Sequence, residues 1–335
     1  MKFDKNITDR IEKLQDKYAT MGQDMESYLD GLLYSDPLNY WDYIHIDTLL
    51  SLQTPRTDFP DEKIFIMYHQ ITELYFKLAL LELEQISQNG KIVLDNGEDK
   101  GWNAKLDVNY FIERLNRVNR YFESLTKSFE IMVQGMEKRQ FLRFRMALLP
   151  ASGFQSAQYR MLEICSTSFN NIVDKDHRDK FSGSITDSSI EEMFNYAYWK
   201  KGAVELESGK KTLTLKQFEK KYTKELLELA KEYRMKNMLA KFHQLPDKDQ
   251  KNENLRNQLR QLDVNININW PLVHYKSAVR YLQTTEDDVP STGGTNWQKY
   301  LPPRFQKRIF YPELWSQDEI ENWGKAWVES VIDQK

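Results

Sequence analysis

The sequence predicts an all-α fold, a single-domain helical bundle, and three observations carry that prediction. Glycine and proline together number 23 of 335 residues, about 7% against roughly 12% in average usage, so little is present to break a helix. Aromatic residues make up 13% of the chain, and a chain of this length can bury a substantial core without covalent staples. Long stretches lack turn signals while apolar residues recur at three- and four-residue spacing, the period of an amphipathic helix.

A first helix is expected over about residues 5–33, with Ile11, Leu14, Tyr18, Met21 and Met25 at helical spacing, so residues 1–38 read as an N-terminal helical arm. Ser35-Asp36-Pro37 breaks it, and NYWDYIHIDTLLSLQ (39–53) is again helical. After the Pro-punctuated loop TPRTDFP (54–60), Asp61 and Glu62 open a helix where acidic groups suit the N-terminal dipole. It runs to Asn89-Gly90, a good C-terminal stop. Phe65, His69, Thr72 and Phe76 share one of its faces; Ile64, Ile71, Leu74, Leu78 and Leu81 cover the adjoining one. Apolar on most sides, it reads as a central, buried helix.

KGWNAKLD (100–107) is expected to start another long helix reaching roughly Gln134. MEKRQFLRFRMALLP (136–150) continues the helical pattern to Pro150, and ASGFQSAQYRMLEI (151–164) restarts it. Residues 183–215 are rich in Ser, Lys and Gly, and about 183–255 is expected as a surface excursion with a charged helix at 216–239. NININ (265–269) alternates but is too short to argue for a sheet. The last informative stretch pairs a helix containing His274 with a Ser-Thr-Gly-Gly-Thr loop at 291–295.

Net charge is −3 with acidic and basic residues well mixed, so no field points toward nucleic acid or an anionic membrane. No apolar run approaches the roughly 18 residues of a spanning helix. MKFDKNITDRIEKL has no signal-peptide core, and the single Cys165 excludes an internal disulfide and any CxxC site. A cytoplasmic enzyme or scaffold is the expectation.

Three features could carry chemistry. His69 and His274 each stand among apolar residues at helical spacing. Each is either a satisfied core histidine or a polar handle in a cavity, and a single helical imidazole is also what a proximal haem ligand requires. No HExxH or two-His-one-carboxylate spacing accompanies them, which argues against zinc or non-haem iron. Arg145 shares a helical face with Phe141 and Leu148. A guanidinium in that setting needs a partner, either a structural carboxylate or a substrate carboxylate held by its planar fork. The STGGT loop offers hydroxyls and backbone N–H groups of the kind that hold small anions.

Together these pieces resemble the haem-dependent tryptophan 2,3-dioxygenases from about Tyr40 to Trp323. YWDYIHIDTLLSLQ, DEKIFIMYHQITELYFKLALLELE, FLRFRMALLPASGFQSAQYR and WPLVHYKSAVR…STGGT occur in the family's order. The resemblance implies haem b, one per subunit and non-covalent, with His274 as the axial iron ligand. It implies that L-tryptophan and O2 give N-formyl-L-kynurenine, a step of tryptophan catabolism. Phe65, Ile66, Met67, Tyr68 and His69 would line the distal pocket, Phe65 packing on the indole and His69, the catalytic residue, hydrogen-bonding its N–H. Arg145 would clamp the substrate carboxylate beside Phe141, Leu148 and Ser152, and Thr292 would hold the ammonium and carboxylate end. Tyr40, Tyr43 and Ile44 would reach into a neighbouring subunit's site, with the N-terminal helices packing on neighbours in a homotetramer.

The sequence departs from the family pattern at Pro60, Tyr75, Pro271 and Ser291, and the stretch from Arg280 to Thr292 is longer than usual. Three of these changes surround the His274 helix and the glycine loop, where they bear on haem affinity, loop closure and substrate preference. Two other readings keep the fold: a haem hydroxylase of another aromatic amino acid, and a helical scaffold without haem, which would gain ground if Pro271 prevented the His274 helix.

Overall fold

Two turns of sequence near the N-terminus show how local chemistry divides what the period alone joins. In the computed structural model, described for residues 4–35, 39–148, 153–181, 183–201, 203, 210–283, 298 and 301–324, the expected first helix is two, Lys5–Thr20 and Met25–Tyr34. Gly22 adopts φ +66°, and Asp24 then caps the second helix by accepting from the Glu26 and Ser27 N–H groups. The next stretch also splits, into Tyr40–Tyr43 and Ile46–Ser51, at His45 with φ 51°. All four helices belong to a unit, Met1–Thr54, that clusters apart from a second unit, Pro55–Lys335, and none of them buries a residue.

The second unit opens on the buried Glu62 carboxylate, which accepts the Arg56 N–H at 2.7 Å and the Thr57 N–H at 2.8 Å. Burial opposes its charge, but these donors keep the carboxyl below the usual glutamate range. The helix Asp61–Ser87 follows and ends as expected, at Asn89 and Gly90 in left-handed conformations. Its inner face packs Phe76, Ala79, Leu83 and Ile86 with Phe111, Leu115, Val118 and Phe122 of the helix Val108–Ser128 and with Leu162 of Ala157–Ser166. Its outer face corrects the expectation of burial all round: Ile71, Leu74, Leu78 and Leu81 are exposed.

Residues 100–107 do not begin a helix. Lys91–Val93 and Asp99–Trp102 pair antiparallel, joined through Gly97 at φ 80°, and the helix starts at Val108 under an Asp107 cap. Residues 183–255 are likewise more than a surface excursion, for Ile190, Phe194, Trp199, Phe218, Leu226, Phe242 and Leu255 all enter the main core.

Residues 253–282 form a continuous helical run with a π turn at its centre. The helix Glu253–Val264 passes into the turn Asn265–Asn269 and then into Trp270–Leu282. The Trp270 N–H reaches back five residues to the Asn265 carbonyl. The wider turn accommodates Pro271, which has no N–H to give and whose ring would crowd the carbonyl four residues earlier in a regular helix. The proline therefore does not prevent the His274 helix. Asparagine amides brace the turn: Asn269 donates to Asn265 at 3.0 Å, Asn265 to Asn119 at 3.1 Å and Asn267 to Asp263 at 2.7 Å. Burial raises the Asp263 carboxyl to about 6, although it also accepts from the Phe310 and Tyr311 N–H groups and from the Trp315 indole.

A second buried network joins distant segments through charge. Glu163 is fully buried; it takes Arg160 Nη1 at 3.0 Å, the Tyr198 hydroxyl at 2.6 Å and, in close contact, Arg308 Nη1. Two guanidinium groups so dependent on one carboxylate make its charge expensive to remove. Glu163→Gln should destabilise the fold by about 3–5 kcal/mol, read by chemical denaturation; a loss under about 1 kcal/mol would show the arginines compensated elsewhere.

Candidate functional site

Two histidines from opposite ends of the chain are fixed in the same way. His69, on Asp61–Ser87, places Nδ1 2.7 Å from the carbonyl of Phe65, one turn earlier. His274, on Trp270–Leu282, places Nδ1 2.9 Å from the carbonyl of Trp270, again one turn earlier. A carbonyl oxygen only accepts, so in each ring Nδ1 carries the proton and Nε2 keeps its lone pair. Burial lowers the pKa of both, that of His274 to about 4, where the nearby His69 imidazole further disfavours a charge. Two neutral rings with available Nε2 lone pairs are therefore brought near one another.

Aromatic side chains surround them. Phe65 lies 4.2 Å, centroid to centroid, from His69, and packs on Phe144 at 5.8 Å and Phe141 at 6.3 Å. Trp270 and Phe129 lie 4.4 and 4.5 Å from His274. Phe141 and Phe144 come from the helix Lys138–Phe144, which is tied to the start of the His69 helix where the Asp61 carboxylate accepts the Glu137 N–H at 2.6 Å. Arg145 follows in the 3-10 turn Arg145–Leu148, buried, with its pKa lowered by desolvation; a guanidinium stays charged there.

The structure thus groups Phe65, His69 and Phe141 into one aromatic cluster, with half-buried Leu148 and buried Arg145 on the segment that follows Phe141. Ile66 is half-buried. Met67 turns to the opposite side, 41% exposed in line with Ile71 and Leu74. Tyr68 faces the core, its hydroxyl donating to the Leu125 carbonyl at 3.1 Å. Tyr40, Tyr43 and Ile44 are exposed in the N-terminal unit. Ser152 and Thr292 lie outside the described residues. Sequence reasoning noted Phe144 beside Arg145 but missed Phe129, Trp270 and Tyr281, whose ring meets Phe141; the last two stand four before and seven after His274, one and two helical turns away, and that spacing was a usable signal.

Among the described residues no three His, Cys, Asp or Glu side chains converge to hold a metal ion, and no helix is long and apolar enough to cross a membrane. The chemistry on offer is a single imidazole ligand, a second imidazole acceptor, an aromatic wall and a buried cation.

Comparison with known proteins points the same way. The family model described as tryptophan 2,3-dioxygenase matches residues 31–269, ending five residues before His274. A tryptophan 2,3-dioxygenase of Ruegeria sp. (strain TM1040) is 39% identical over 130 residues, 39% of this chain and 42% of that protein. Tryptophan 2,3-dioxygenase 2 of Ralstonia nicotianae is 40% identical over 133 residues, covering 38% of this chain and 34% of its own length. The relative from Polaromonas naphthalenivorans is 30% identical over 161 residues, 48% of this chain and 51% of that protein. The chain spans between a third and about half of the length of these relatives.

Nitrogen NMR of histidine-labelled protein should find both His69 and His274 as neutral Nδ1–H tautomers at about pH 7.5, with His274 still neutral at about pH 6, below the ordinary histidine value of roughly 6.5. A charged imidazole or an Nε2–H tautomer at either position would contradict the geometry.

Proposed function

The chain belongs to the tryptophan 2,3-dioxygenase family, and from that premise we propose that it converts L-tryptophan and O2 to N-formyl-L-kynurenine, as an enzyme of tryptophan catabolism dependent on haem b. The observation that carries this reading is the matched pair of neutral imidazoles set among aromatic rings. Haem, when bound, supplies the activation of dioxygen that no amino-acid side chain provides.

The residues present fit such a group. His274 would hold the iron through Nε2: its Nδ1–H bond to Trp270 fixes the ring, and its low pKa keeps that nitrogen unprotonated. His69 would accept the indole N–H through Nε2, since Phe65 already takes its one proton. The hydrogen bond orients the indole without removing its proton. Phe65 and Phe141 would form the wall against the ring, and Arg145 would pair bidentately with the substrate carboxylate. Thr292 and Ser152 are proposed at the polar end of the same substrate. Closing such a pocket in apolar walls excludes water and holds the reactants in register.

Further parts of the reading concern assembly. Met67, Ile71, Leu74, Leu78 and Leu81 form an exposed apolar stripe at alternating four- and three-residue spacing, the seam by which helices pair. It supports association between copies; the assembly proposed, on the family resemblance, is a homotetramer, in which Tyr40, Tyr43 and Ile44 would cover a neighbouring subunit's pocket. The proposed setting is cytoplasmic; the single cysteine, Cys165, is buried with its thiol pKa pushed up, and reads as structural rather than redox chemistry.

The test is the visible spectrum of haem-supplied protein, ferric and reduced, with and without L-tryptophan, followed by product analysis under air. A histidine-ligated haem band that shifts with tryptophan, and a product heavier than tryptophan by two oxygen atoms, is expected. A product heavier by one oxygen would replace dioxygenation with hydroxylation, and folded protein that takes up no haem would end the reading. Arg145→Ala should lower kcat/KM by an amount equivalent to roughly 2–5 kcal/mol, with His69→Ala costing less; small, equal losses would show the pocket misplaced.

A further inference from the structure

We propose that Tyr281 is a specificity-determining positioning residue, which holds the Phe141 ring at a fixed depth and so limits the size of the aromatic amino acid the pocket accepts. The inference rests on the reading above, in which Phe141 is part of the substrate wall.

Tyr281 stands seven residues after His274, two turns along the same helix and on the same side of it. It is 1% exposed, and its ring lies 4.6 Å from that of Phe141, tilted by 37°. Its hydroxyl donates to the Met136 carbonyl at 3.2 Å, just before the helix that carries Phe141. A second tie runs beside it, where Lys138 Nζ donates to the Gln283 carbonyl at 3.0 Å. Phe141 also meets Phe144 at 5.6 Å and Phe65 at 6.3 Å. Phe141 therefore has the buried Tyr281 ring as one neighbour and Phe65, which packs on His69, as another. A half-buried phenylalanine free to swing about χ1 would adapt to what it meets; one backed by a buried, hydrogen-bonded tyrosine does not.

The ring and the hydroxyl of Tyr281 make separable contributions. The hydroxyl places the segment 136–141, while the ring fills the space into which Phe141 would retreat. Removing the ring leaves a void that Phe141 can enter, enlarging the pocket on the substrate side. Removing the hydroxyl alone leaves the wall in place.

The experiment uses haem-loaded full-length protein and its Tyr281→Ala, Tyr281→Leu and Tyr281→Phe variants. Calorimetric binding to the ferric form and kcat/KM are measured for L-tryptophan and for tryptophans methylated on the benzo ring or at Cα. A methyl group against a rigid wall is worth roughly tenfold or more in discrimination. Tyr281→Ala should reduce the preference for L-tryptophan over at least one methylated analogue about tenfold, in binding as well as in turnover, mainly through KM. Tyr281→Phe should keep the wild-type preference within about twofold. Tyr281→Leu repeats the loss of the ring at closer volume, should the alanine variant not fold. Unchanged preference in both Ala and Leu variants overturns the proposal, as does a loss in Tyr281→Phe equal to theirs, which would make the hydroxyl alone responsible. Wild-type holoprotein that binds no tryptophan at all would instead remove the reading on which the proposal stands.

Discussion

Everything proposed for this site depends on one bond made twice: an imidazole Nδ1–H given to the carbonyl one helical turn behind it. Each ring has two nitrogens and, when neutral, one proton. By spending the proton on their own helices, His69 and His274 settle tautomer, ring orientation and charge together. What is left is a lone pair on each Nε2, which suits one ring to bind a metal and the other to accept an N–H. Burial makes the arrangement consistent, because a charged imidazole in either place would lack water, and at His274 it would also face the His69 ring. The site needs no charged base. Its residues orient and enclose, while the polar atoms are few and already committed.

A ligand on a helix is only as well placed as the helix itself, and the His274 helix carries a proline that a regular turn would not tolerate. The π turn at Asn265–Asn269 resolves this by widening the helix where the proline ring needs room. Widening loosens a helix, and here the loss is offset by side-chain amides. Asn119, Asn265 and Asn269 form a run of hydrogen bonds within the core, and Asp263 ties the same turn to the backbone at Phe310 and Tyr311. Isoleucines at 266 and 268 alternate with these polar residues and are fully buried. The alternation, too short to argue for a sheet, is thus a helical turn with both kinds of side chain buried, each for its own reason.

This explains what could and could not be read from sequence. The His69 helix was legible from Asp61 to Asn89-Gly90 because acidic start, helical period and left-handed stop agree locally. The divided N-terminal helix was decided by Gly22, whose positive φ overrode the helical period around it, and the hairpin at 91–102 turns at Gly97, between two expected helices. Asn96-Gly97 was the signal for the hairpin, and the lysines and charged residues around it obscured the strands. The core role of 183–255 was hidden because its buried residues are spaced among many charged ones on amphipathic helices. Of the site, His69, His274, Phe65, Phe141 and Arg145 were legible mainly through the family resemblance. The supporting rings of Phe129, Phe144, Trp270 and Tyr281 depend on three helices meeting, and no single segment announces that.

The His69 helix also carries the proposed pocket and the proposed assembly on one element. Phe65 and His69 are four residues apart and turn to the site; Met67, between them, turns outward to begin the stripe that continues through Ile71, Leu74, Leu78 and Leu81. One helix therefore presents the proposed substrate wall on one side and an exposed apolar stripe on the other, with about a third of a turn of backbone between their borders. The inner side alone accounts for its packing on the helices Val108–Ser128 and Ala157–Ser166. In the proposed tetramer a neighbouring subunit would cover the seam, removing its apolar surface from water at roughly 25 cal/mol per Å² buried and holding Phe65 and His69 against lateral motion. Assembly would then be a condition for a well-ordered distal wall.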